Sequence, residues 1–167
     1  KPGLLKRRRM LRVLEHVFYE ADFERTSVWA FTRRGVDKYS SVAVPLYVGL
    51  GASGGSYLRD VFYLNTFSVR AYTDSLERGE MPIALSLDLS KELQMAGWLY
   101  WRIYETRFKK SAFKRRFGKD FDQVYGKHMK WLSLFGLLEQ NGDEIVLSND
   151  GTYWLHAIQD LFSIDYI

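Results

Sequence analysis

Residues 42–55 read VAVPLYVGLGASGG, a nearly unbroken apolar run that ends in four glycines within the seven residues 49–55. A continuous apolar run of this length suits a strand buried on both faces, as in a parallel sheet. Pro45 belongs at the start of such a strand or at a bulge, because it brings no N–H to a ladder. Glycines just after a buried strand let the chain turn sharply and let a ligand approach the main chain closely. In α/β folds that is where ligands bind. Gly49, Gly51 and Gly54 satisfy G-x-G-x-x-G, but no helix of useful length follows before Asp60. No acidic residue stands about 20 positions further on in a suitable βαβ unit, so the run is not a dinucleotide fingerprint. A tight chain-reversing turn and a backbone site for an anionic or adenosyl ligand both stay open.

Upstream, Leu4, Leu5, Leu11, Leu14, Val17, Phe18 and Ala21 recur mostly at spacings of three and four, which predicts a helix over 4–21. Lys6, Arg7, Arg8, Arg9 and Arg12 crowd its start and oppose its macrodipole, so they form either a solvated face or an anion contact. Residues 26–32 (TSVWAFT) predict a strand. Helix, strand, linker and buried strand in this order resemble the last turns of an α/β barrel or open sheet.

Downstream, 61–67 is extended, and 68–78 is a helix with Ser68 as N-cap and Gly79 as C-cap. Residues 80–87 are an extended connector, and the main domain boundary falls within 79–88. A helix is predicted over 91–108, with Leu93, Ala96, Tyr100, Ile103 and Phe108 on one side. A second spans 120–135, where Phe121, Val124, Trp131 and Phe135 read as core. Asn141-Gly142 between apolar runs signals a hairpin. A last helix follows Asn149. Helix, helix, hairpin and helix is the layout of a winged helix, so the fold class is α+β.

The composition excludes several classes. The chain has 167 residues, 47% apolar and 26% charged, which rules out disorder throughout. No apolar run approaches the roughly 20 residues of a membrane-spanning helix. Cysteine is absent, so no disulfide, thiolate metal site or cysteine nucleophile exists in this chain, as suits a reducing, cytoplasmic setting. His16, His128 and His156 match no metal-ligand spacing, and the last two read as structural. Asp120, Asp122, Asp143 and Glu144 read as caps and turns. The net charge of +4 and pI near 9.2 favour anionic partners mildly. Arg107, Lys109, Lys110, Lys114, Arg115, Arg116 and Lys119 form either a solvated cluster or a phosphate footprint. Lys127, His128 and Lys130 are a thin endowment for a recognition helix. The chain opens Lys-Pro-Gly, without Met or a signal peptide, as a mature product or an excised piece would.

Residues 47–72 (YVGLGASGGSYLRDVFYLNTFSVRAY) resemble the distal part of the oxygen-independent coproporphyrinogen III oxidase family of radical S-adenosylmethionine enzymes. The family pattern is a glycine-rich G-x-G-x-x-x-S stretch, then Tyr/Phe-x-x-Asn, then Tyr. Here that is Gly49, Gly51 and Ser53 to Ser56, then Phe62 to Asn65, then Tyr72. The C-terminal part is similar too, in Arg116-Phe117-Gly118, Gly136-Leu137-Leu138 and Ser148-Asn149-Asp150-Gly151. The resemblance covers roughly 25–167.

The resemblance implies a C-terminal fragment. Residues 1–60 would be the distal part of a partial α/β barrel, 61–88 a connector, and 89–167 a winged-helix-like cap. The family's 4Fe–4S cluster is held by a Cys-x-x-x-Cys-x-x-Cys loop that this chain lacks, so the fragment itself would be inactive. In the parent, a reduced cluster would cleave S-adenosylmethionine to a radical that starts oxidative decarboxylation of porphyrinogen propionates. Gly51, Ala52, Ser53, Gly54 and Gly55 would approach S-adenosylmethionine. The family often has bulkier residues where this chain has Gly54 and Gly55. Arg33, Arg34 and Arg59 would meet substrate carboxylates, or else be surface charge. The partners implied are the N-terminal remainder of the same polypeptide and a tetrapyrrole, with no membrane, and nucleic acid is not expected. A haem chaperone or an anaerobic haem-opening relative is the alternative within the superfamily, with Trp98, Trp101, Trp131 and Trp154 as stacking groups or plain core. A winged-helix nucleic-acid-binding module is the alternative outside it.

Overall fold

The computed structural model describes residues 2–37, 44 and 46–164, with the side chains of the last helix as far as Ile158. Two compact units result: Lys1–Ala43 with Tyr100–Ile167, and Val44–Leu99.

The first unit begins with α1 (Leu4–Glu20), whose cations divide between two environments. Lys6, Arg7 and Arg9 are exposed, while Arg8 is buried. Its Nη1 donates to Glu15 Oε2 at 3.0 Å and its Nε to Asp150 Oδ1 at 2.7 Å. Of the two readings of the basic run, Arg8 therefore takes the anion contact, with carboxylates of its own chain. Elsewhere on the helix, Met10, Val13, Leu14 and Val17 are all more than half exposed.

The single strand expected over 26–32 is instead a hairpin. β1 (Phe23–Arg25) pairs antiparallel with β2 (Phe31–Arg33), with Arg25 opposite Phe31. The chain reverses because the N–H groups of Thr26 and Ser27 both donate to the Ala30 carbonyl, at 2.9 and 3.4 Å. The apolar signal of this stretch comes from Val28, which points inward with no exposed surface. Its N–H bonds the Tyr104 carbonyl at 3.0 Å.

The helix α3 (Lys91–Tyr104) stops short of the expected residue 108. Thr106 adopts φ +68°, and β6 (Arg107–Lys109) follows as a strand. Strand geometry lets Phe108 bury itself while Arg107 and Lys109 point outward, which a helix continuing the same face would not allow. Next come α4 (Lys110–Phe117), α5 (Phe121–Leu134), β7 (Leu138–Asn141), β8 (Glu144–Leu147) and α6 (Asn149–Ile164). Asp120 caps α5 by accepting from the N–H groups of Asp122 and Gln123. Strands β6, β7 and β8 form one antiparallel sheet ordered β6-β8-β7. The expected hairpin forms with Asn141 opposite Glu144, so Gly142 and Asp143 make the two-residue turn.

Beneath this sheet Phe108, Phe113, Phe121 and Ile145 are nearly or wholly buried. The Phe113 ring lies 5.4 Å from Phe121 and 5.7 Å from Tyr125, both edge-on. Such pairs add about 0.5–1.5 kcal/mol each beyond the area they bury. Phe121 is core, as the spacing predicts. Trp131 and Phe135 are not: they are 55% and 70% exposed, because Phe121 and Met129 define the buried face of α5.

The second unit holds β3 (Gly55–Tyr57), β4 (Val61–Asn65) and β5 (Ile83–Asp88) in the order β3-β4-β5, with α2 (Val69–Glu77) between the last two. Ser68 caps α2 as expected, accepting from Ala71 N–H at 3.3 Å, and Gly79 takes φ +73° just beyond it. Residues 83–88 of the expected connector are a strand, because they complete the hydrogen bonding of β4. This pairing folds 61–88 into one sheet with 55–57, inside a unit whose borders fall at 43/44 and 99/100. Of the strand expected over 42–50, Val42, Ala43 and Pro45 lie outside the described residues. Residues 46–50 form no strand: Tyr47 makes one antiparallel bridge to Tyr57, and Leu50 is 85% exposed. Every strand pair among the described residues is antiparallel. No described helix is long and apolar enough to cross a membrane.

Candidate functional site

The glycine run folds back on itself. A Cβ on Gly49 would lie 2.3 Å from the Gly55 carbonyl oxygen, and one on Gly54 would lie 2.9 Å from the Gly49 carbonyl carbon. Backbone therefore touches backbone across the loop, and only hydrogen fits at these two positions. Gly51 adopts φ +88° with no atom within 4 Å of where a Cβ would stand, so the loop is open to close approach there.

Two side chains quoted in the sequence pattern hold this loop. Asn65, buried at the end of β4, donates its Nδ2 hydrogens to the carbonyls of Gly49 (3.1 Å) and Gly51 (2.9 Å). Tyr72 on α2 accepts from the Gly51 N–H through its hydroxyl at 3.0 Å. The loop then ties down its own donors. Gly49 N–H goes to Ser56 Oγ at 3.0 Å, Ser53 N–H to the Thr66 carbonyl at 2.8 Å, and Gly54 N–H to the Gly51 carbonyl at 3.2 Å. Ser53 Oγ donates to the Ala52 carbonyl. Ser56 has no exposed surface, so its hydroxyl serves the loop from inside. Beside it, burial and the Tyr57 phenol push the Tyr47 hydroxyl above its usual range.

This arrangement sets what the loop can do. The N–H groups of Gly49, Gly51, Ser53 and Gly54 are used internally, so they are not a cradle for an anion. The Gly51 carbonyl already accepts twice, from Asn65 and from Gly54 N–H, whereas the Gly49 carbonyl accepts from Asn65 and keeps a second lone pair, which suits a ligand that brings an N–H donor. Asn65→Ala is expected to leave the Gly49 carbonyl without its donor and the Gly51 carbonyl with Gly54 N–H alone, and to lower stability by about 2 kcal/mol. Urea denaturation of the variant reads this directly, and Tyr72→Phe is expected to lose about half as much.

The other expected site residues divide between the two units. Arg33 ends β2 with its guanidinium 5.7 Å from the Phe23 ring, and Arg34 pairs with Asp22 at 3.1 Å, both in the first unit. Arg59 sits in the turn between β3 and β4 at φ +70°, in the second. All three are exposed. Among the described residues no cluster of acidic and histidine side chains is placed to hold a metal ion. His156 is buried as expected, with Nε2 accepting from the Trp29 indole N–H at 3.1 Å, whereas His128 is exposed. Asp120 caps a helix, and Asp143 accepts from the N–H and Oγ of Ser111, both at 2.7 Å. The side-chain bond from Ser111, more than any other influence, holds the Asp143 carboxyl below its usual range.

Sequence spacing misses one constellation altogether. Glu15 is buried between two guanidinium groups, those of Arg8 and Arg25, and Arg8 reaches on to Asp150. No local pattern signals it, because its members come from α1, β1 and α6.

No protein-family model and no curated protein matches this chain. Among solved structures it is similar to coproporphyrinogen III oxidase from Escherichia coli, described as a radical SAM enzyme, with a TM-score of 0.64 and 14% identity. The likeness covers 93% of this chain and 40% of that enzyme. At this identity the likeness is one of fold.

Proposed function

We propose that this chain is the distal portion of a radical S-adenosylmethionine enzyme of porphyrin or haem metabolism, of the oxygen-independent coproporphyrinogen III oxidase kind. The observation that carries the reading is the fold shared across 93% of the chain with 40% of such an oxidase. The convergence of Gly49, Gly51, Ser56, Asn65 and Tyr72 on one loop supports it, since these are the positions of the sequence pattern. The parent's reaction would be oxidative decarboxylation of propionates to vinyls, in the cytoplasm. Residues 89–167 would be its winged-helix-like cap, a reading supported by the sheet order β6-β8-β7 with α4 and α5 between β6 and β7.

The residues present do not fit the iron–sulfur cluster, because the chain has no cysteine to ligate it. They do fit a part of S-adenosylmethionine. The Gly49 carbonyl, held by Asn65 and with one lone pair still free, suits an ammonium or amino group. In this reading the rest of the barrel is the N-terminal remainder of the polypeptide. It would cover Met10, Val13, Leu14 and Val17 on α1, beside a groove of about 650 Å³, and the Ile83, Leu85 and Leu87 row on β5, all of them exposed.

The test compares two proteins. The encoded sequence upstream of Lys1 is expected to contain Cys-x-x-x-Cys-x-x-Cys, and the longer polypeptide, reconstituted and reduced, to form 5′-deoxyadenosine from S-adenosylmethionine. The 167-residue chain alone is expected to retain no iron and to form none. A reading frame that starts at Lys1, or iron held stoichiometrically by this chain, would overturn the proposal.

A further inference from the structure

The exposed side of α5 is unusual for a helix that packs on a sheet. Lys127, Lys130, Trp131 and Leu134 recur at helical spacings of three and four, so they share one face. Lys127, Lys130, Trp131 and Leu134 are all exposed, and Leu134 is 73% so. The Trp131 and Phe135 rings lie nearly parallel, 24° apart in plane and 6.4 Å between centroids, with both rings open to solvent. Lys127, Lys130, Trp131 and Leu134 line a groove of about 630 Å³ together with Ser133 and Gln140 of β7. Neither lysine forms an ion pair with any described residue, whereas Lys110 on α4 is neutralised by Asp122 at 2.8 Å.

We infer that this face of α5 binds single-stranded nucleic acid, with Trp131 as the platform for a base and Lys127 and Lys130 as contacts to its flanking phosphates. Aromatic rings stack any base through its π-face, and adjacent cations follow the backbone. A strand binder needs both on one surface, and α5 supplies both. An acidic protein segment would leave the open face of the Trp131–Phe135 pair unused, and a duplex does not offer a base face to it. The neighbouring chain is also basic: Lys114, Arg115 and Lys119 are exposed on and just after α4.

The whole 167-residue chain is titrated with fluorescein-labelled oligo(dT) by anisotropy at 50–200 mM NaCl. The affinity is expected to fall about sevenfold over that range if two phosphates are contacted, a slope near −1.4 in log–log form. Trp131→Ala is expected to weaken binding about five- to 150-fold with the slope unchanged. Trp131→Phe should recover part of that loss. Lys127→Ala with Lys130→Ala should flatten the slope by about 1.4. Trp131 is half exposed, so these variants should keep the parent's melting temperature. Four results would each overturn the inference: no binding at 50 mM salt, equal affinity in Trp131→Ala, tighter binding of the matched duplex, or a dimer of this chain that Trp131→Ala abolishes.

Discussion

Glu15→Ala is expected to destabilise the chain by about 3–5 kcal/mol, the range for removing one partner of a buried ion pair. The side chains of Arg8, Glu15 and Arg25 are only 5–6% exposed. Glu15 accepts from Arg8 through one carboxylate oxygen and from Arg25 through the other. Deleting it leaves two guanidinium groups in the interior, with only Arg8 still bonded to a carboxylate, that of Asp150. A guanidinium cannot shed its charge at any ordinary pH, so neither cation can escape by deprotonating. Asp150 cannot make good the loss for both. The side-chain bond from Arg8, above all, holds its carboxyl below the usual range, so it is already fully ionised near neutral pH. In a domain of this size the melting temperature should drop by roughly 6–20 °C. A shift under about 2 °C would mean that water reaches the site and the two arginines remain solvated.

Gly151→Ala sets a local rule against a tertiary one. Gly151 lies in the first turn of α6, where alanine would be preferred over glycine by about 1 kcal/mol. Local propensity alone predicts stabilisation. In the folded chain a Cβ at 151 would stand 1.7 Å from the Leu137 carbonyl oxygen and 3.0 Å from its Cα. The obstacle is backbone, fixed because Ser148 N–H bonds the same Leu137 carbonyl at 3.0 Å and Ser148 Oγ donates to the Gly136 carbonyl at 2.8 Å. Ser148 Oγ also accepts from Gly151 N–H at 2.9 Å. Relief requires α6 to move away from the 136–138 segment. The expected result is a net loss of about 3 kcal/mol, at the upper end for overpacking. Thermal unfolding followed by circular dichroism decides the sign, and any gain in stability would refute the close approach.

These two sites also show why the sequence was readable in some places and not in others. Gly136-Leu137-Leu138 and Ser148-Asn149-Asp150-Gly151 stand out as patterns, and the structure brings them into one hydrogen-bonded joint. The caps Ser68 and Asp120 and the Asn141-Gly142 hairpin are equally visible, because each is a bond or a backbone turn made within a few residues. Asn65 and Tyr72 appear as members of a pattern, but nothing in their spacing says that both reach the glycine loop, 14 and 21 residues back. The stretch 26–32 misleads because an apolar run has no way to announce whether it extends or turns inward as a plug, as Val28 does. Trp131 misleads for the opposite reason, since a large ring at a helical spacing looks like core whether or not anything covers it.

Sequence by itself determined the α+β class, most helix limits and the absence of any thiolate metal site in this chain, since these follow from local bonding and from composition. Only the tertiary structure decided which apolar faces are covered, that Arg8 meets an aspartate 142 residues away, and that the N–H groups of Gly49, Gly51, Ser53 and Gly54 are used from within. Burial and partner choice depend on chain segments that meet only after folding, and spacing along the sequence carries no record of those meetings.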